Sequence, residues 1–96
     1  MAEATRTTSQ IRVERPDEQT LARLNVSSWP IWTKEASAFE WHYDEPETCY
    51  FLEGEVVVKT AEGSVTLGKG DLVTFPRGLD CTWQVRRALR KHYRFG

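Results

Sequence analysis

Few residues in this chain can do covalent, acid–base or metal chemistry. There are two histidines, His42 and His92, and two cysteines, Cys49 and Cys81. Among the carboxylates, Glu47 follows directly on a turn signal, Asp44-Glu45-Pro46. A glutamate there is either an exposed strand-edge residue or a carboxylate aimed into an interior. In the second case it could act as a general acid or base, or orient a cationic or hydroxylated ligand. The two thiols read either as small buried hydrophobes or as a ligand, nucleophile or redox pair. No C-x-x-C spacing supports the pair, and a thiolate would need positive charge beside it, from His42, His92 or an arginine.

The elements that must position these residues follow from period and punctuation. Phe39, Trp41 and Tyr43 alternate with Ala38, Glu40 and His42. On a strand that pattern turns the three aromatics inward and His42 to solvent. Further strands are expected at 11–15, 47–53 (closed by Gly54), from Val56, at 64–67, 71–75, 80–85 and 89–95. Gly63, Gly70 and Gly78 mark turns between them, with Pro76 stiffening the last. The stretch Arg86–Phe95 could also wind as an amphipathic helix. The shared parity of Leu89, Tyr93 and Phe95 favours a strand, on which His92 could turn inward. One short helix is expected after Pro16, with Asp17 and Glu18 at its positive end, Leu21 and Leu24 as its apolar stripe and Asn25 as its stop.

Short strands every 8–12 residues, with no βαβ pattern, place the chain in the all-β class as a sandwich or barrel. Its 96 residues allow one domain, expected over 11–96, with residues 1–10 as a flexible N-terminal arm. The longest apolar run, Cys49–Leu52, is far short of the ~20 residues a membrane helix needs. Charge is uneven. Residues 1–48 hold 5 basic and 9 acidic side chains (net −4), and residues 49–96 hold 8 and 5 (net +3). The overall charge of −1 argues against nucleic-acid binding, and the run Arg86, Arg87, Arg90, Lys91, Arg94 reads as a solvated face. Two cysteines and no apolar leader point to a reduced intracellular, cytoplasmic setting, or an organelle if a presequence has been removed.

Two fragments carry a family resemblance. Gly70-Asp71-Leu72-Val73-Thr74-Phe75-Pro76-Arg77-Gly78 has the glycine, proline and glycine spacing of the second cupin motif. Glu47-Thr48-Cys49-Tyr50-Phe51-Leu52-Glu53-Gly54 has the glutamate and glycine of the first, and 15 residues (55–69) separate the two. With Trp29-Pro30-Ile31-Trp32 and Arg90-Lys91-His92-Tyr93, the chain over about residues 11–95 resembles small single-domain cupins. The group is that of ureidoglycine aminohydrolase and the ethanolamine-utilisation Q protein. The resemblance implies a cupin-type jelly-roll β-barrel, often a homodimer, whose closure hides strand edges.

It also implies where a metal would sit. Metal-binding cupins use two histidines and a glutamate from the first motif and a histidine from the second. Here Glu47 falls on the glutamate and Cys81 on the second-motif histidine, with Val85 on a usual asparagine. Depending on the gap, Trp41 and Tyr43, or Glu40 and His42, fall on the first two histidines. A divalent metal (Zn, Ni, Mn or Fe) would then use Glu47, Cys81 and one or both of His42 and His92. Alternation favours the other set, an interior of Trp41, Tyr43, Glu47, Cys49, Cys81 and Trp83. Trp29 and Trp32 are assigned to the barrel base or a dimer contact.

Three functions follow as expectations. The first is a pocket for a small polar molecule, with no firmly bound metal and with Glu47 as the catalytic candidate. The second is a metal-dependent enzyme acting on a small nitrogenous metabolite. The third is a non-catalytic dimeric interaction module. A cupin barrel alone does not choose among them.

Overall fold

The structure is a computed structural model, and it describes residues 10–96 in full and Thr5–Thr8 by backbone alone. In chain order the elements are β1 (Thr5–Thr8), β2 (Ile11–Glu14), α1 (Glu18–Leu24), a 3₁₀ turn (Val26–Ser28), β3 (Ile31–Lys34), β4 (Ser37–His42), β5 (Glu47–Thr60), β6 (Gly63–Gly68), β7 (Leu72–Phe75) and β8 (Asp80–Phe95). Every pairing among the strands is antiparallel. Of the segment 1–10 expected as a loose arm, Thr5–Thr8 pairs with β2, and residues 1–4 and 9 lie outside the described residues.

Two long strands organise the barrel. The first half of β5 lies between β7 and the second half of β8, which in turn pairs with β3. The second half of β5 lies between β6 and the first half of β8, which pairs with β4. One leaflet is therefore β1-β2-β7-β5-β8-β3 and the other β6-β5-β8-β4, with β5 and β8 running through both. This is a jelly-roll β-barrel with one short helix. The sequence reading ended a strand at Gly54 and split 80–85 from 89–95. The strands instead continue, and the breaks are register shifts between Phe51 and Val56 on β5. A bulge bends a strand without ending it. Gly54 makes the bend possible, with φ of 95° and an added Cβ only 2.2 Å from the Ala88 carbonyl oxygen.

Alternation then fills the interior. Val56, Val58, Val65, Leu67, Val73, Phe75, Val85 and Leu89 are buried in one core between the leaflets, with Phe51 and Trp83 among them. A second, smaller cluster of Val26, Trp29 and Leu72 lies under Leu21 and Leu24 of α1. That helix starts and stops as expected. Asp17 accepts from the Thr20 backbone N–H at 2.9 Å, and Asn25 closes it in the left-handed conformation at φ 58°. The motif residue Asp71 is buried and structural. It accepts from Gly68 N–H at 2.9 Å and from Arg15 at 3.1 Å, which pins the turn into β7.

Candidate functional site

Glu47 opens β5 in register with Phe75 on one side and Phe95 on the other, so its side chain starts life surrounded by rings. It is 4% exposed. A buried carboxylate needs partners, and it has two. Tyr43 donates its hydroxyl to Oε1 at 2.8 Å, and Lys91 donates from Nζ to Oε2 at 2.8 Å. Tyr43 reaches it because its backbone is clamped to the turn between β7 and β8. Tyr43 N–H donates to the Leu79 carbonyl at 3.0 Å, and its own carbonyl accepts from Gly78 N–H at 2.7 Å. Its ring stacks on Phe75 at 5.0 Å. Burial first, and the Glu47 carboxylate second, push the Tyr43 hydroxyl well above its ordinary value, so it stays a donor.

Lys91 is the residue the sequence reading misplaced. It was counted in a solvated basic run, yet it is 4% exposed and points inward from β8. Its ammonium lies 4.6 Å from the Trp83 ring centroid, 4.9 Å from Trp32 and 5.8 Å from Phe51. Cation–π contacts of this kind contribute about 0.5–2 kcal/mol each. The signal was present, since Lys91 shares the parity of Leu89 and Tyr93 on one strand. Three arginines of the run are ion-paired outside. Arg86 and Arg87 pair with Glu55 at 3.3 and 3.2 Å, and Arg90 approaches Glu53 at 3.7 Å.

Above the Glu47–Lys91 pair is a cavity of about 220 Å³. Its walls are Trp32, Phe39, Tyr43, Trp83 and Tyr93, with Trp41 and Phe95 also lining it, and Glu47 and Lys91 are its polar groups. Phe39 stacks on Trp83 at 6.0 Å, and Trp32 meets Trp83 edge-on at 6.1 Å. Trp41 and Phe95 are 48% and 45% exposed, which places them where the cavity meets solvent. Trp32 therefore lines the pocket, where the barrel base or a dimer contact was expected of it. Trp29 does lie away from the pocket, under α1, with the Arg94 guanidinium 4.5 Å from its ring centroid.

The other candidates are placed elsewhere. Cys49 and Cys81 are buried free thiols, and neither lines the cavity. Cys49 packs behind the charged pair, where burial pushes its thiol up to about 12. Cys81 leans on the Trp41 carbonyl at 3.8 Å and borders a separate open groove with His42 and Asp80. Its thiol is also raised, by burial. The buried Trp83 indole N–H itself has no hydrogen-bond partner. His42 faces solvent, as its parity required, with Nδ1 2.6 Å from Asp80. His92 turns away from Glu47 to hold the Trp29 carbonyl at 2.8 Å, so it does not turn inward.

A metal does not fit this donor set. Of the two alignments, the one whose residues line the cavity puts Trp41 and Tyr43 at the histidine positions, and both Glu47 oxygens are already bonded, one of them to an ammonium that supplies the compensating charge. Among the described residues, no group of three or more His, Cys, Asp or Glu side chains is placed to hold an ion. Nor is any helix among them long and apolar enough to cross a membrane.

The comparisons agree with this architecture. The family model of the EutQ-like cupin domain matches residues 21–93. A DUF861 family protein from Thermotoga maritima is 50% identical, with a TM-score of 0.87, over 90% of this chain and 99% of that one. The EutQ protein of Clostridium difficile is 15% identical, with a TM-score of 0.61, over 95% of this chain and 63% of that one. A DUF861 protein of unknown function from Pseudomonas syringae is 18% identical, with a TM-score of 0.65, over all of this chain and 45% of that one. The last two share the fold, and this chain spans only part of their length. No curated protein matches the chain.

Proposed function

The chain belongs to the EutQ-like cupin family, and from that premise we propose that it is a small-molecule cupin whose chemistry runs on a carboxylate in place of a metal. The observation that carries this reading is the pair of Glu47 oxygens held by Tyr43 and Lys91 at the base of an aromatic cavity. Concave, mostly apolar sites with a few convergent polar groups are how proteins bind small organic ligands. The rings suit a flat molecule of about one or two rings' size. Glu47 and Lys91 together carry no net charge, so they select by hydrogen bonding more than by ligand charge. A ligand acceptor meets the Lys91 ammonium, and a ligand donor meets Glu47.

Any catalysis would be proton transfer. Tyr43 and Lys91 hold the carboxylate in one orientation, and the surrounding rings keep water from competing for it. The test is a titration followed by tryptophan fluorescence, using small planar amides, acids and heterocycles. Glu47→Gln is expected to abolish binding of whichever compound the native protein takes, and unchanged affinity would contradict the reading.

A further inference from the structure

We propose that Lys91 is an amine nucleophile that condenses with small planar aldehydes or ketones entering the cavity. This rests on the pocket reading above and adds a covalent step to it.

Five features of the site converge on that step. Among the residues lining the cavity, Lys91 carries the one amine, and its nitrogen is the one that can form a C–N bond. Its nitrogen lies at the aromatic wall, with Trp83 and Trp32 centroids 4.6 and 4.9 Å away, where a flat carbonyl compound stacked on those rings would meet it. A proton acceptor, Glu47 Oε2, stands 2.8 Å from Nζ. Tyr43 fixes that acceptor from its other oxygen at 2.8 Å and acts as a positioning residue. The neighbouring Cys49 keeps its proton, since burial holds its thiol near 12, and so does not compete.

The step closes without a co-reactant. The ammonium passes a proton to Oε2, which exchanges two buried charges for a neutral amine and a neutral acid. The nitrogen lone pair attacks the carbonyl carbon, and the C=O π electrons move to oxygen. A proton moves from nitrogen to that oxygen, giving a carbinolamine. Glu47 then protonates the hydroxyl, which leaves as water while the nitrogen lone pair forms the C=N bond. The products are a protonated imine, one water and the Glu47 carboxylate paired with the iminium.

The experiment uses the native protein with benzaldehyde and sodium cyanoborohydride, read by peptide mass spectrometry at each lysine. The chain has four lysines, and Lys59 and Lys69 are exposed. A lysine that is merely structural, at 4% exposure and locked in an ion pair, reacts more slowly than those two. The expected result is the reverse, with Lys91 modified about tenfold faster or more. Glu47→Gln should slow Lys91 by about tenfold or more, with Lys59 and Lys69 unaffected. Adducts on Lys59 and Lys69 with none on Lys91 overturn the proposal. Benzyl alcohol has the same shape without the carbonyl and reports entry by tryptophan quenching. Entry without a Lys91 adduct overturns the amine chemistry and leaves the pocket standing, whereas no entry and no adduct overturns both.

Discussion

Glu47 and Lys91, 44 residues apart in sequence, share a buried hydrogen bond of 2.8 Å that joins the start of β5 to the inner face of β8. The two strands are already neighbours there, with Tyr50 opposite His92 and Phe51 opposite Lys91. The pair thus adds little to the topology. What it does is place one charge of each sign at the bottom of an aromatic cavity, each satisfied by the other.

That mutual dependence is measurable. Removing one partner leaves an uncompensated buried charge, which typically costs about 3–5 kcal/mol. Glu47→Gln and Lys91→Met should each lower unfolding stability by roughly 3 kcal/mol in urea denaturation. The double variant should lose clearly less than the sum, because neither orphan remains. Additive losses would mean the two groups are not coupled.

Gly54 should not tolerate a side chain. Its φ of 95° lies where alanine is strained, and the added Cβ would meet the Ala88 carbonyl oxygen at 2.2 Å. Backbone cannot swing away as a side chain can. Gly54→Ala is expected to lower stability by about 2 kcal/mol or more, whereas Gly78→Ala, where an added Cβ meets nothing within 4 Å, should lose less. Equal losses at the two positions would show that the bulge does not depend on the close approach.

Alkali should weaken the fold through Cys49. Its thiol is raised from an ordinary 9.0 to about 12, with burial as the main cause. Between those values the unfolded chain has lost the proton and the folded chain retains it. The unfolded state therefore binds fewer protons, and stability falls as pH rises through that window, while below 9 the contribution is intact. The slope is at most about 1.4 kcal/mol per pH unit for one group. Tyr43 adds to it above its ordinary value of 10.0, so pH 8 to 10 isolates the thiols. Cys49→Ala should flatten the pH dependence of the urea midpoint in that range, and an unchanged slope would contradict the assignment.

Metal should not matter. With both Glu47 oxygens occupied and Trp41 and Tyr43 beside them on the cavity wall, an ion has no donor set to enter there. Offering zinc, nickel, manganese or iron should leave the thermal midpoint and ligand affinity unchanged, as should exhaustive chelation. A stoichiometric metal found by mass spectrometry, lost in Glu47→Gln, would contradict this.

Much of this is legible in the sequence alone. Alternation turns Phe39 and Tyr43 inward and His42 outward, where it is found beside Asp80, whereas Trp41, expected inside with them, is 48% exposed at the edge of the cavity. Glu47 and Trp83 were placed inside for the same reason, and both line the cavity. The misses have a common cause. Lys91 was read by its charge, as one of a basic run, when its parity with Leu89 and Tyr93 already put it on the inner face. Charge in a run argues for solvent only where no buried partner of opposite sign is present, and Glu47 lies far away in sequence. Cys49 and Cys81 were placed inside correctly but assigned to the cavity surface. Period-two reasoning gives the face and not the depth, and the rings of Tyr43 and Trp83 take the wall. Trp32 was lost because β3, only four residues long, shows too short an alternation to read.

The most direct test of the pocket is the indole N–H region of a proton–nitrogen correlation spectrum, recorded while small planar amides, acids and heterocycles are added. Four tryptophans give four signals. Trp32, Trp41 and Trp83 line the cavity, and Trp83 carries a buried N–H with no partner, whereas Trp29 sits under α1. A compound that enters should move the first three signals and leave Trp29 in place, and Glu47→Gln should suppress the movement. If none of the compounds moves those three signals, or if Trp29 alone responds, the cavity is not a binding site and the account fails at its centre.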